Sequence, residues 1–89
     1  MYEIECSEEA TKELLKMMKS DVQAYKKFES LIPELREHPH TGTGHPHQLR
    51  HVNGIWSRKL DKKNRLRYTV NDTTVIVFIV SVMGHYDDK

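Results

Sequence analysis

The stretch Arg65-Leu66-Arg67-Tyr68-Thr69-Val70-Asn71-Asp72-Thr73-Thr74-Val75-Ile76-Val77-Phe78-Ile79-Val80-Ser81-Val82 decides the fold. Its first six residues alternate, with Leu66, Tyr68 and Val70 on one side and Arg65, Arg67 and Thr69 on the other. That period of two predicts a strand with one covered face. Asn71-Asp72 turns the chain. Thr73 to Val82 is then an almost unbroken β-branched run, which predicts a central strand covered on both faces or nearly so. Upstream, Asp61-Lys62-Lys63-Asn64 makes a four-residue turn and Ile55 to Leu60 a further strand. Asn53-Gly54 is a strong hairpin signal, and Leu49 to Val52 is a short strand before it. His38 to Gln48, with Pro39, Gly42, Gly44 and Pro46 and no apolar period, reads as a loop.

The N-terminal half reads differently. Met1 to Glu5 alternates as a short strand. Ser7 suits a helix N-cap, with Glu8 and Glu9 in the first turn, where the helix dipole favours acids. Ala10, Leu14, Met17 and Met18 mark a first helix over roughly residues 8–18. Ser20 and Gln23 fit a capping box. Val22, Tyr25, Phe28, Ile32 and Leu35 mark the apolar face of a second helix, and Pro33 predicts a kink or break near Ile32. The expected fold class is therefore α+β. A helical hairpin packs on one face of a mostly antiparallel sheet, in a single domain over residues 1–89.

Composition narrows the class. The chain is 37% hydrophobic and 30% charged, with no apolar run long enough to span a bilayer. The first residues carry no secretion signal. One cysteine cannot form an internal disulfide, and Cys6 reads as a buried structural thiol at a strand end. These features point to the cytoplasm. The net charge of +1 conceals an uneven distribution. Residues 1–44 hold six Lys/Arg against nine Asp/Glu, whereas residues 45–70 hold seven Lys/Arg against Asp61 alone. A confined basic block suits a phosphate-binding surface. It equally suits a solvated strand surface whose cations block edge pairing.

Cleaving RNA without a metal needs a base for the 2′-OH, cations for the phosphorane and an acid for the leaving oxygen. The C-terminal half holds all three. Lys59 and Arg65 fall on strands expected to pair, with parities that allow one shared face. His47 and Arg50 sit near the start of the sheet, and His85 and Tyr86 follow its last strand. Trp56 and Tyr68 read as core rather than as base-stacking platforms. His38-Pro39-His40 and His45-Pro46-His47 do not have standard metal-ligand spacing, and no thiolate or carboxylate joins them, so no metal and no cofactor is expected.

The combination is more specific than its parts. The string Gly42-Thr43-Gly44-His45-Pro46-His47-Gln48-Leu49-Arg50-His51 is followed by Gly54-Ile55-Trp56-Ser57-Arg58-Lys59-Leu60, Asn64-Arg65-Leu66-Arg67-Tyr68 and a terminal His85-Tyr86. In this order they resemble the YoeB/Txe toxins of the RelE superfamily, over nearly the whole chain. The resemblance implies a microbial-ribonuclease-like fold and a toxin that cuts mRNA in the ribosomal A site. It implies attack by the 2′-OH, leaving a 2′,3′-cyclic phosphate and a 5′-OH end. By position, Arg65 would stabilise the phosphorane, His85 would be the general acid and Tyr86 would position or stack on substrate. Arg50, Lys59 and Arg67 would bind substrate. The implied partners are a YefM/Phd-like antitoxin, the ribosome with its mRNA, and a second copy of the chain.

Two departures stand out. Lys59 fills a position usually held by Arg in the family, so the charge stays but the bidentate fork is lost. His47 stands where relatives of this type place a glutamate that acts as the base toward the 2′-OH. A neutral imidazole can do that work, and a protonated one cannot. Two other readings stay open at this point: a non-catalytic inhibitor that binds ribosomes or RNA, and an antitoxin-partner repressor subunit.

Overall fold

The computed structural model describes residues 1–50 and 54–84. Strand β1 (Glu3–Cys6) leads into helices α1 (Glu8–Ser20) and α2 (Val22–Glu37). Strands β2 (His47–Gln48), β3 (Trp56–Lys59), β4 (Arg65–Asn71) and β5 (Ile76–Ser81) follow. The strand order is β1-β5-β4-β3-β2. β1 runs parallel to β5, and every other pairing is antiparallel. The α+β hairpin-on-sheet architecture is thus the expected one.

The core lies where the helices meet one face of the sheet. Met17 of α1 and Ala24, Phe28, Leu31 and Leu35 of α2 are buried with Leu66, Tyr68, Val77 and Ile79 of the sheet. Each such large side chain stabilises the fold by roughly 1.5–3 kcal/mol. Ser7 caps α1 as expected, its Oγ accepting from the Ala10 N–H at 2.9 Å. The same hydroxyl donates to the Val80 carbonyl at 2.7 Å, which ties the helix start to β5.

Several expectations need correction. The second cap is Asp21, whose carboxylate accepts from the Ala24 N–H, while Ser20 ends α1 and donates to the Lys16 carbonyl. A carboxylate at the helix start also meets the dipole, which a hydroxyl does not. α2 continues through Pro33. Burial of Leu31 and Leu35 on either side offsets the roughly 3 kcal/mol that an interior proline costs. The apolar stripe of α2 is Ala24-Phe28-Leu31-Leu35, rotated from the one expected, so Val22 is exposed, as is Met18 in α1. Cys6 ends β1 but is exposed, because β1 is an edge strand.

The sheet differs from expectation in two places. The β-branched run is an interior strand as expected, between β1 and β4, but it is shorter and less covered than the run suggests. That run is shortened to β5, with Thr73 and Thr74 drawn into a turn where both N–H groups donate to the Asn71 side chain. β5 is covered on one face only: Val77 and Ile79 are buried, while Phe78 is 37% exposed. A strand expected from Leu49 is found at His47–Gln48, with Leu49 and Arg50 just past its end, so His47 belongs to the sheet instead of the loop. His51 and Val52 of the expected strand, and the Asn53 half of the expected turn, lie outside the described residues.

Candidate functional site

Register decides which cations meet. Lys59 pairs with Arg65 and Ser57 with Arg67 across β3 and β4, and His47 pairs with Ser57 across β2 and β3. Directly opposed residues project to the same face of a sheet. His47, Ser57 and Arg67 therefore form one row over three strands, with Lys59 and Arg65 forming the next. Strands are about 4.8 Å apart, so His47 and Arg67 stand about 10 Å apart at the backbone. Arg58 and Leu66, paired between these two rows, face the helices and are buried. His47 and Lys59 are exposed, and Arg65 and Arg67 are half-buried.

The histidine is held in a definite tautomer. Its Nδ1 lies 3.0 Å from the His45 carbonyl. A carbonyl only accepts, so Nδ1 carries the proton and the neutral ring presents Nε2 as an acceptor. His45 takes φ +53°, which folds its carbonyl back onto the ring two residues later. The preceding loop is pressed onto β3: the Gly44 carbonyl accepts from the Lys59 N–H at 2.8 Å. At φ +86°, a Cβ on Gly44 would stand 2.5 Å from the Lys59 carbonyl oxygen, so the Gly42-Thr43-Gly44 approach needs glycine there.

What holds that loop is an ion pair on the opposite face, buried on its Arg58 side. Arg58, 0% exposed, pairs with Glu34 of α2 and donates to the carbonyls of His38 and Thr41. The Tyr68 hydroxyl donates to the Pro39 carbonyl at 2.7 Å. Glu34 also accepts from the Thr43 N–H and hydroxyl at 2.8 and 2.9 Å. Desolvation works against its ionised form, but the Thr43 hydrogen bonds and the Arg58 guanidinium outweigh it and hold the carboxyl below its usual range. His40 packs against Trp56 with ring centroids 4.7 Å apart and the planes tilted by 57°, and lies 3.6 Å from Asp72. Together these contacts fix residues 38–45 from α2 to the first residue of β2.

At the other end of the sheet the chain leaves β5 toward its terminus. Glu13 of α1 accepts from the N–H groups of Val82 (2.8 Å) and Met83 (3.1 Å). The Arg65 N–H donates to the Gly84 carbonyl at 3.0 Å, and the Gly84 N–H donates to the Asn64 side chain at 3.4 Å. Asn64 is fixed in turn by Asp61, whose Oδ1 accepts from its backbone N–H and whose carboxylate also accepts from its Nδ2. Desolvation disfavours ionised Asp61, but the N–H groups of Lys63 and Asn64 outweigh that and lower its pKa. Beside this junction lies an open cavity of about 520 Å³ of mixed charge, lined by Arg67, Lys12 and Lys16 together with Glu9, Glu13 and Gly84, among others.

The structure thus brings His47, Lys59, Arg65 and Arg67 to one face. Arg50 is exposed in the bend after β2, outside the paired rows. His85 and Tyr86 lie outside the described residues. Sequence reasoning missed Ser57, which sits between His47 and Arg67, although its parity with Lys59 was a sufficient signal. It also missed the separation of Arg58 from its basic neighbours, and the contacts of Glu13 and Asn64, for which no local signal exists.

The arrangement agrees with comparison to known proteins. Residues 6–86 match the family model described as the YoeB-like toxin of bacterial type II toxin-antitoxin systems. The chain belongs to this YoeB toxin family. Toxin YoeB of Escherichia coli strain K12 is 35% identical over 72 residues, covering 80% of this chain and 86% of that protein. The solved YoeB dimer from Staphylococcus aureus superposes with TM-score 0.83 at 28% identity, covering 96% of this chain and 98% of that one. The YoeB-YefM complex from the same organism superposes with TM-score 0.80 at 27% identity, covering 97% and 99%. The fold expected from the resemblance is therefore the observed one, and a YoeB-family toxin is the component of a toxin–antitoxin system that these relatives represent. Among the described residues no helix is long and apolar enough to cross a membrane.

Proposed function

We propose that this YoeB-family toxin is a metal-independent endoribonuclease that cuts mRNA on the ribosome. The observation that carries the proposal is the register of β2, β3 and β4. It sets His47 in one row with Arg67 and places the Lys59–Arg65 pair beside them on the open face.

The chemistry follows from that placement. His47 Nε2 accepts the proton of the ribose 2′-OH, and the freed oxygen attacks the adjacent phosphorus. Arg65 and Lys59 stabilise the negative charge that builds on the phosphorane. The bond from phosphorus to the 5′-oxygen breaks, and His85 protonates the leaving oxygen. The products are a 2′,3′-cyclic phosphate and a 5′-OH. Tyr86 positions or stacks on a base, and Arg50 and Arg67 contact flanking phosphates.

A small domain with one basic face offers few specificity contacts of its own, so the ribosome supplies the rest. The toxin acts in the cytoplasm, where translation occurs. A YefM/Phd-like antitoxin, folding as it binds, neutralises it by covering the basic face, and two copies associate as in the S. aureus YoeB dimer.

Mapping of 5′ ends on mRNA in ribosomes exposed to purified toxin tests this reading. The expected result is discrete cuts with 5′-OH ends and cyclic phosphates, and weak cutting of naked RNA. Translation arrest with intact mRNA would replace it with a binding inhibitor. Equal rates on naked and ribosome-bound RNA would remove the ribosome from the account.

A further inference from the structure

A carboxylate can take up a proton on either oxygen. A neutral imidazole accepts on one nitrogen only, and which one depends on the tautomer. A histidine that serves as base therefore needs its tautomer chosen. In water the neutral ring prefers to carry its proton on Nε2, the opposite of what a base acting through Nε2 requires. The His45 carbonyl, 3.0 Å from His47 Nδ1, reverses that preference by offering an acceptor on the other side of the ring.

An unusual backbone aims this carbonyl. His45 takes φ +53° and is followed by Pro46. Positive φ is uncommon for a residue with a Cβ, and a following proline biases its neighbour toward extended backbone instead. Such a conformation persists only where its surroundings over-determine it, and here both flanks are pinned. Upstream, the Thr43 N–H and hydroxyl donate to Glu34, and the Gly44 carbonyl accepts from the Lys59 N–H. Downstream, His47 pairs with Ser57 in the β2–β3 ladder. The ring of Pro46 fixes its own φ. The reversal between the two anchors is left to His45.

We infer that His45 is a positioning residue: its left-handed backbone aims the carbonyl that selects the Nδ1–H tautomer of His47 and so makes Nε2 the base. The work is done by the main chain, and the His45 imidazole is not needed for it. The kinetic consequence rests on the proposed nuclease reading, whereas the tautomer does not.

NMR of the ring nitrogens in the folded toxin at alkaline pH reads the tautomer directly, with His47 assigned by the signals missing from His47→Gln. The expected spectrum has a protonated, pyrrole-type Nδ1 and a bare, pyridine-type Nε2. A His47 ring with its proton mainly on Nε2 would overturn the inference. Two variants then separate the His45 backbone from its side chain. His45→Asn and His45→Val both delete the imidazole, but Asn tolerates the left-handed region and a β-branched residue does not. His45→Asn should keep the tautomer and stay within a few-fold of the parent rate. His45→Val should lose the Nδ1–H signature and slow single-turnover cleavage by roughly 5–30-fold, with ribosome affinity unchanged. In a His47→Glu background the Val substitution should have little effect on rate, because a carboxylate has no tautomer to choose. Equal losses from Asn and Val, a tautomer unchanged in His45→Val, or an undiminished loss in the His47→Glu background would each overturn it. If the parent toxin itself fails to cut RNA, the nuclease reading fails, and the ring spectrum still decides whether His45 sets the tautomer.

Discussion

Arg58 and Lys59 are adjacent cations in one strand and have opposite lives. Arg58 faces the helices, is fully buried, and is spent on Glu34 and the carbonyls of the 38–41 loop. Lys59 faces outward, is exposed, and opposes Arg65 across the strand pair. A run of basic residues in a strand is therefore not one surface. Parity divides it into cations that build the loop beneath His47 and cations that line the open face. The two sets should fail differently: loss of the buried set lowers stability, and loss of the open set lowers rate.

Arg58→Met should break the comparison on the stability side. Glu34, 27% exposed and still accepting from Thr43, would lose its partner, so the cost should fall below the roughly 3–5 kcal/mol of a fully buried pair. Against a total of roughly 5–15 kcal/mol for a domain, the urea midpoint should still fall clearly. A midpoint close to the parent's would mean that the Glu34–Arg58 network is ornamental. On the open face, His47→Gln should leave the urea midpoint intact while cutting single-turnover cleavage by ~10²–10⁴-fold. His47→Glu should keep substantial activity and carry the acidic limb of the rate profile to lower pH, since a carboxylate stays ionised below the range where imidazole stays neutral. A nearly silent His47→Gln would remove the base assignment and leave the fold and family untouched.

The pH dependence of stability sharpens the buried half. The carboxyl of Glu34 is held below its usual range in the folded state. Its contribution is thus complete above the ordinary carboxylate range and is lost as pH falls through that range toward the folded value. Glu34→Gln should start from a lower urea midpoint at neutral pH and lose less on acidification than the parent does. Parallel curves for the two proteins would place the acid sensitivity elsewhere, with Asp61 the next candidate. The smallest effect belongs to Lys62, an exposed cation in the β3–β4 turn. Lys62→Ala should shift stability by no more than about 0.5 kcal/mol and leave the rate within a few-fold. A large rate loss there would extend the substrate surface beyond the two rows.

Much of this was legible from sequence because it rests on period and on short-range chemistry. The alternation Arg65 to Val70 assigns Leu66 and Tyr68 to the core, and Ser7 announces α1. The same alternation pairs Lys59 with Arg65 once the turn at Asp61–Asn64 is recognised. Three features were not legible. A continuous β-branched run looks the same whether its second face is covered or open, so Phe78 and the one-sided burial of β5 emerge only from the strand order. The helix through Pro33 depends on tertiary burial of Leu31 and Leu35, which no local rule contains. The contacts of Glu34 with Arg58, and of Glu13 with Val82 and Met83, join residues 24 to 70 positions apart, and a single sequence carries no record of such separations. His47 was legible as a residue but not as a strand member, because its two-residue strand is too short to show a period.

The most direct measurement compares Arg65→Ala with the parent in single-turnover cleavage of ribosome-bound mRNA, with urea unfolding run on the same preparations. Arg65 opposes Lys59 on the open face and carries the phosphorane in the proposed chemistry. The account predicts a rate lower by about 10²–10³-fold, with an unfolding midpoint far closer to the parent's than that of Arg58→Met. A folded Arg65→Ala protein that cuts mRNA within a few-fold of the parent rate would contradict it.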